Sequence, residues 1–340
     1  MRGAVIHAPG DVRFEERGDP RILHPTDAVI RTVATCVCGS DLWSYRGVNA
    51  VEEPSPIGHE YVGVVEEVGG EVRQIRPGQF VVGSFFASDN TCPNCRNGYP
   101  SNCLHREPMQ AEGCQSEYIR IPLADGTLVA AQDTPDEAHL PSLLACSDVM
   151  GTGWYAALAA QVQRGQTVAV VGDGAVGLCA VIAARELGAD RIVAMSRHKS
   201  RQELATRFGA TDIVTERGAE GVARIKEMTA GIGADAVLEC VGTVESMQQA
   251  LDSTRPGGGV GFVGVPHGVS IEGAELFSSH VAVRGGPAPV RTYPPELIGR
   301  VVSGRIDPGP VFDLTLPLEQ VAEGYRAMDE RRAIKALLLP

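Results

Sequence analysis

Apolar residues between position 1 and about 148 fall in short runs, AVIRTVA, YVGVVEEVG and QFVVGSFF among them, separated by Gly and Pro turns. Runs of that length bounded by turn residues predict short, bent strands and a β-rich domain. The texture then changes. MGTGWYAALAAQV reads as a helix, and TVAVVGDGAVGLCAVIAARELGA as a buried strand, a glycine turn and a helix of small apolar residues. RIVAMS, TDIV, ADAVLECVG and GGVGFVGVP follow at spacings that leave room for crossover helices, as a parallel sheet of about five strands requires. After VAVRGG, at 281–286, the rhythm stops, and PAPVRTYPP leads into a helix and a short strand in AIKALLLP. That tail is expected to pack back on the first domain. The predicted fold class is α/β, a doubly wound parallel sheet domain plus a β-rich catalytic domain. The boundaries read as 1–148, 149–283 for the parallel sheet, and 284–340 returning to the first domain.

Composition narrows the function classes. With 340 residues, 44% of them hydrophobic, there is material for two cores and too much for one. The formal charge of −12 comes without the clustered Lys and Arg that phosphate contacts need, which argues against nucleic-acid partners. No stretch approaches the roughly 20 uninterrupted apolar residues of a membrane span, and MRGAVIHAPG contains no long apolar core of a signal peptide. A cytoplasmic protein without membrane partners is expected. Nine cysteines, an odd number in a large chain, favour reduced thiols at metal or core positions over bridges.

Three of those cysteines stand together. DNTCPNCRNGYPSNC, residues 89–103, sets Cys92, Cys95 and Cys103 at C-x2-C-x7-C spacing with Asp89 three residues ahead of the first thiol. Two-residue gaps let neighbouring thiolates turn onto one small cation, and the intervening Pro, Asn and Gly keep the segment out of helix or ladder, so a zinc lobe is predicted. Gly172, Gly174 and Gly177, with Ala175 and Val176 between the last two, form G-x-G-x-x-G after the strand VAVV and before an Ala-rich helix. Bare backbone and a helix N-terminus there can approach a pyrophosphate, as in a Rossmann-type domain. The next strand ends at Met195 and Ser196 without the acid that would bond the ribose 2'-hydroxyl of NAD. Ser196, Arg197, His198 and Arg201 offer instead a hydroxyl and cations suited to a 2'-phosphate, which predicts NADP(H). A further constellation pairs Cys38, Ser40 and Asp41 in TCVCGSDLW with His59 and Glu60 in PIGHEYVG, a thiolate and an imidazole for a second zinc.

Together these motifs resemble the zinc-dependent medium-chain alcohol dehydrogenases across essentially the whole chain. The resemblance implies a GroES-like fold for the β-rich domain and a catalytic zinc on Cys38, His59 and Asp148, the last placed by its spacing to Thr152-Gly153-Trp154. Cys146 is the alternative ligand, Cys being commoner in the family. In the lobe the family's first cysteine is replaced by Asp89, with His105 a possible substitute and an empty lobe the alternative. A carboxylate there predicts easier metal loss at low pH. By the same resemblance Glu60 lies beside the metal, Asp41 orients His59, and Ser40 relays the substrate proton toward the nicotinamide ribose. Trp43 replaces the His that often continues that relay, and Trp43 and Phe85 are expected to line the substrate pocket. The implied function is a zinc-dependent alcohol dehydrogenase or carbonyl reductase that transfers hydride between NADP(H) and an alcohol, aldehyde or ketone. Its active site is expected in the cleft between the domains, and its assembly as a homodimer or homotetramer. Two alternatives stay open: an NAD-linked polyol or formaldehyde-type dehydrogenase and, from another class, a non-catalytic nucleotide-binding sensor.

Overall fold

Strand Ala28–Cys36 organises the first unit, because its alternating small and branched residues let other strands close on both edges. Tyr61–Val68 pairs along one edge, and Tyr118–Ile121 and the C-terminal Ala336–Leu339 share the other, all antiparallel. Phe80–Gly83 and Leu128–Ala130 extend this sheet on one side and Leu314–Pro317 on the other. Ile30, Tyr61, Ile119, Ile121 and Leu128 form a nearly solvent-free core under it. Burial of an aliphatic side chain of that size contributes about 2 kcal/mol. The structure, a computed structural model, describes residues 1–340 apart from the side chain of Gln110. It divides into two compact units, Met1–Asp148 with Pro289–Pro340, and Val149–Ala288.

The second unit is the doubly wound domain. Its parallel sheet has the spatial order Asp212–Val214, Arg191–Met195, Thr167–Val171, Ala234–Glu239, Thr254–Phe262, Ala282–Gly285. Numbered along the chain this is 3-2-1-4-5-6, so the order reverses beside Thr167–Val171, where ligands of such sheets bind. The sheet has six strands where the sequence suggested about five. The extra one, Ala282–Gly285, lies within the VAVRGG segment, at the sheet edge with Arg284 exposed, so no apolar run marks it. Helix Ala175–Glu186 starts at the reversal and buries Leu178, Val181 and Ile182. Among the described residues no helix is long and apolar enough to cross a membrane.

Candidate functional site

Four side chains from three distant segments of the first unit converge. Donor atoms of Cys38, His59, Glu60 and Asp148 all lie within 4.8 Å of one another, and all four residues are buried. The turn that delivers His59 and Glu60 requires glycine: Gly58 has φ +96°, and a Cβ there would fall 2.5 Å from Gln115 Cγ. His59 Nε2 then lies 3.5 Å from Asp148 Oδ2, and its Nδ1 lies 3.2 Å from Asp41 Oδ1. The other oxygen of Asp41 accepts from the Cys38 backbone N–H at 3.0 Å and from Gln115 Nε2 at 3.3 Å. One carboxylate thus faces the imidazole through one oxygen and anchors the loop that carries the thiol through the other. Asp148 is set by its neighbour, since Ser147 Oγ accepts from Tyr61 N–H at 3.0 Å and donates to the Gly83 carbonyl at 2.7 Å.

Behind the cluster, Lys335 Nζ donates to Glu60 Oε1 at 2.6 Å and to the Val37 carbonyl at 3.2 Å. Both charged groups are almost wholly buried, while Glu60 Oε2 is buried with no hydrogen-bond partner. Burial raises the Glu60 carboxyl above its ordinary range, against the pull of Lys335. Burial works against a charged His59, yet Asp41, Cys38 and Asp148 carry it well above the usual histidine range. Such a buried group of thiol, imidazole and carboxylate donors with one orphaned oxygen suits a divalent cation, and these are zinc ligands. Cys146 stands outside the cluster: its Sγ donates to the Ser142 carbonyl at 3.3 Å, and burial pushes the thiol up to about 12.

Around this cluster, the half-buried Ser40 hydroxyl makes no capping bond to the helix Asp41–Tyr45 that it precedes. Phe85 meets the His59 ring edge-on at 6.1 Å between centroids. Trp43, half-buried on the same short helix, has the Arg46 guanidinium 6.0 Å from its ring.

The 89–103 lobe forms a second donor group, with one donor atom each of Asp89, Cys92, Cys95 and Cys103 within 4.8 Å of the others. Cys92 Sγ lies 3.4 Å from Cys95 Sγ and 3.9 Å from Cys103 Sγ. Backbone N–H groups aim at these sulfurs, Leu104 at Cys92 at 3.5 Å and His105 at Cys103 at 3.3 Å. The Leu104 N–H is foremost among the bonds that hold the Cys92 thiol down to about 7, whereas burial raises Cys95 and Cys103. Closely set sulfurs with donors stabilising their anionic form fit a zinc site. His105 Nδ1 bonds Asp89 Oδ2 at 2.7 Å. Although burial opposes ionisation of Asp89, that bond and the Cys92 and Thr91 N–H groups hold its carboxyl far below the usual range.

In the second unit the glycine turn is tight enough to exclude side chains: a Cβ on Gly177 would sit 2.0 Å from the Gly172 carbonyl oxygen. Ala175 and Val176 open the helix, whose N-terminal N–H groups have no side-chain cap. Such a bare N-terminus suits an anion. Arg197 is exposed, and His198 is the N-cap of helix Lys199–Phe208 without a side-chain capping bond. Ser196 and Arg201 are both engaged by Asp173, a residue the sequence reading passed over. Ser196 Oγ donates to Asp173 Oδ2 at 2.7 Å, and Arg201 Nη1 lies 3.2 Å from Oδ1.

Residues 24–133 match the alcohol dehydrogenase GroES-like domain family, and residues 175–298 match the zinc-binding dehydrogenase family. The chain is 35% identical to zinc-type alcohol dehydrogenase B of Aspergillus flavus over 99% of its own length and 81% of that protein. It is 30% identical to an alcohol dehydrogenase of Cupriavidus necator, covering 98% of this chain and 96% of that one. The structure is similar to that of alcohol dehydrogenase TADH from Thermus sp. ATN1, with a TM-score of 0.92, 33% identity, and coverage of 100% and 99% of the two chains.

Proposed function

We propose, for a chain that belongs to the zinc-dependent alcohol dehydrogenase family of medium-chain dehydrogenases, that it interconverts a small alcohol and its aldehyde or ketone with NADP(H) as hydride partner. The family implies zinc and a nicotinamide cofactor, and membership in a family of enzymes leaves the sensor reading without support. The observation that carries the reading is the buried cluster of Cys38, His59, Glu60 and Asp148.

A zinc ion held there would supply Lewis-acid polarisation of an alcohol or carbonyl oxygen, and a bound nicotinamide would supply the hydride chemistry. Cys38, His59 and Asp148 hold the metal in this reading, and Asp41 fixes the imidazole that faces it. Glu60, tied to Lys335 through one oxygen, keeps its second free to support exchange of product for water. Ser40 Oγ takes the proton released by the alcohol. An indole N–H only donates, so the relay does not continue through Trp43, and the proton leaves Ser40 toward the cofactor ribose or solvent. Phe85, beside the His59 ring, and Trp43 supply apolar walls for the carbon body of the substrate. The lobe of Asp89, Cys92, Cys95 and Cys103 holds a second, structural zinc in this reading.

NADP(H) is favoured by the absence of an acid after Met195 and by the exposed guanidinium of Arg197. Arg197→Ala is expected to weaken NADPH about tenfold or more while NADH moves less than about twofold. Steady-state oxidation of both cofactors against a panel of aldehydes and ketones checks this, and equal losses would remove the phosphate assignment. One observation favours the NAD-linked alternative, the Asp173 carboxylate beside Ser196. A cytoplasmic homodimer or homotetramer assembled through the nucleotide-binding unit completes the reading. Nine unbridged cysteines suit a reducing compartment, and strand Ala282–Gly285 lies at the edge of its sheet. Light scattering of the purified protein tests the subunit count.

A further inference from the structure

The acid missing from the end of strand Arg191–Met195 is supplied by the glycine turn itself. Asp173 stands between Gly172 and Gly174, one residue before the N-cap of helix Ala175–Glu186. A carboxylate beside a helix N-terminus is ordinarily drawn to the free N–H groups there. Here no side chain caps the helix. Asp173 is committed instead to the strand end, where Oδ2 accepts from the almost fully buried Ser196 hydroxyl at 2.7 Å and Oδ1 pairs with Arg201 at 3.2 Å. The pair is largely shielded, with side chains 11% and 15% exposed. The helix N–H groups stay open to a pyrophosphate, and a negative charge stands at the place where such a fold meets the adenosine ribose.

We propose that Asp173 sets the limit on cofactor discrimination by occupying the hydroxyl and the guanidinium that a 2'-phosphate would otherwise use. The inference rests on the reading that the Ser196–Arg201 segment faces the adenosine ribose. Toward NAD(H), the Asp173 carboxylate is an acceptor for a ribose hydroxyl. Toward NADP(H), it is a like charge beside the phosphate, and it neutralises Arg201. The remaining cations are Arg197, His198 when protonated, and Lys199, whose ammonium is 89% exposed and 4.0 Å from Glu203. Arg197 then carries the phosphate contact largely alone, and the preference of the native chain for NADPH is modest.

Asp173→Asn removes the charge, keeps the shape, and retains an oxygen able to accept from Ser196. Dissociation constants of NADPH and NADH, read by nicotinamide fluorescence without substrate, are independent of turnover. The ratio of the two constants is expected to shift about tenfold toward NADPH, through tighter NADPH binding. Asp173→Ala is expected to shift the ratio the same way, so a folding defect in one variant does not decide the matter. An unchanged ratio in both variants, or an equal loss for both cofactors, would overturn the proposal by reducing Asp173 to a support of the turn. Arg197→Ala separates this from the phosphate reading. If that variant loses NADPH and NADH equally, the Arg197 assignment falls, whereas the Asp173 ratio stands or falls on its own measurement.

Discussion

The two donor clusters of the first unit use similar chemistry but are built in opposite ways. Asp89, Cys92, Cys95 and Cys103 come from one continuous segment held by its own turns and N–H···S contacts. Cys38, His59, Glu60 and Asp148 arrive from three separate segments and are backed by Lys335 from the far end of the chain. A local cluster can fail without the sheet failing. A distributed one is only as exact as the strands, turns and buried partners that deliver it, so it couples chemistry to fold. The lobe should therefore report on stability and metal alone, and the distributed cluster on turnover as well.

The largest effect expected from breaking the distributed cluster is on turnover. His59→Ala should lower kcat/KM about a thousandfold or more and remove one zinc per chain, with far-UV circular dichroism unchanged. Asp148→Ala should also lose that zinc, while Cys146→Ala should keep it. Activity within about tenfold of wild type in His59→Ala would place the chemistry elsewhere.

Next comes the buried support. Lys335→Met leaves Glu60 without its cation, and an uncompensated buried charge costs about 3 kcal/mol or more. Urea unfolding would register the loss, and adding Glu60→Gln to the variant should recover a good part of it. A cost under about 1 kcal/mol for the single variant would mean that Lys335 does not hold the cluster.

The smallest effect is on the lobe, and it depends on pH. The folded-state pKa of Cys92, about 7, lies below the ordinary thiol value. Its thiolate therefore dominates above pH 7, and the advantage it gives is lost as pH falls through that value. Asp89, held far lower, stays ionised throughout. Zinc uptake by the stripped lobe of His59→Ala, followed by competition with a chromophoric chelator, should weaken steeply below pH 7, because each of the three thiols must shed its proton to bind. Uptake flat down to pH 5 would show that the lobe's thiols are not the ligands.

How much was legible in the sequence follows the same division. The lobe could be read from spacing alone, because its donors are neighbours in the chain. The glycine turn was legible because strand, glycines and helix adjoin. Cys38 and His59 could be suspected from a thiol and an imidazole set among turn residues, but Asp148 was reached only through resemblance, since nothing in spacing says that position 148 meets positions 38 and 59. Lys335 left a signal that could have been used, a lone cation in the apolar run AIKALLLP. Asp173 left a fainter one, an acid inside the glycine motif. Gln115 left none: its bonds to Asp41 and to the Cys36 carbonyl depend on where its segment passes the Ala28–Cys36 strand. The sixth parallel strand escaped because it is an edge strand with the exposed Arg284 at its centre, next to a Gly pair, and so shows no apolar run.

Zinc per chain, determined by elemental analysis on the active protein after exhaustive dialysis, tests the two-cluster account most directly. The account predicts two zinc ions in the wild-type chain, and one in His59→Ala. A single zinc in a fully active wild-type chain would mean that the lobe holds no metal, and turnover that survives complete removal of zinc would contradict the role given to Cys38, His59 and Asp148.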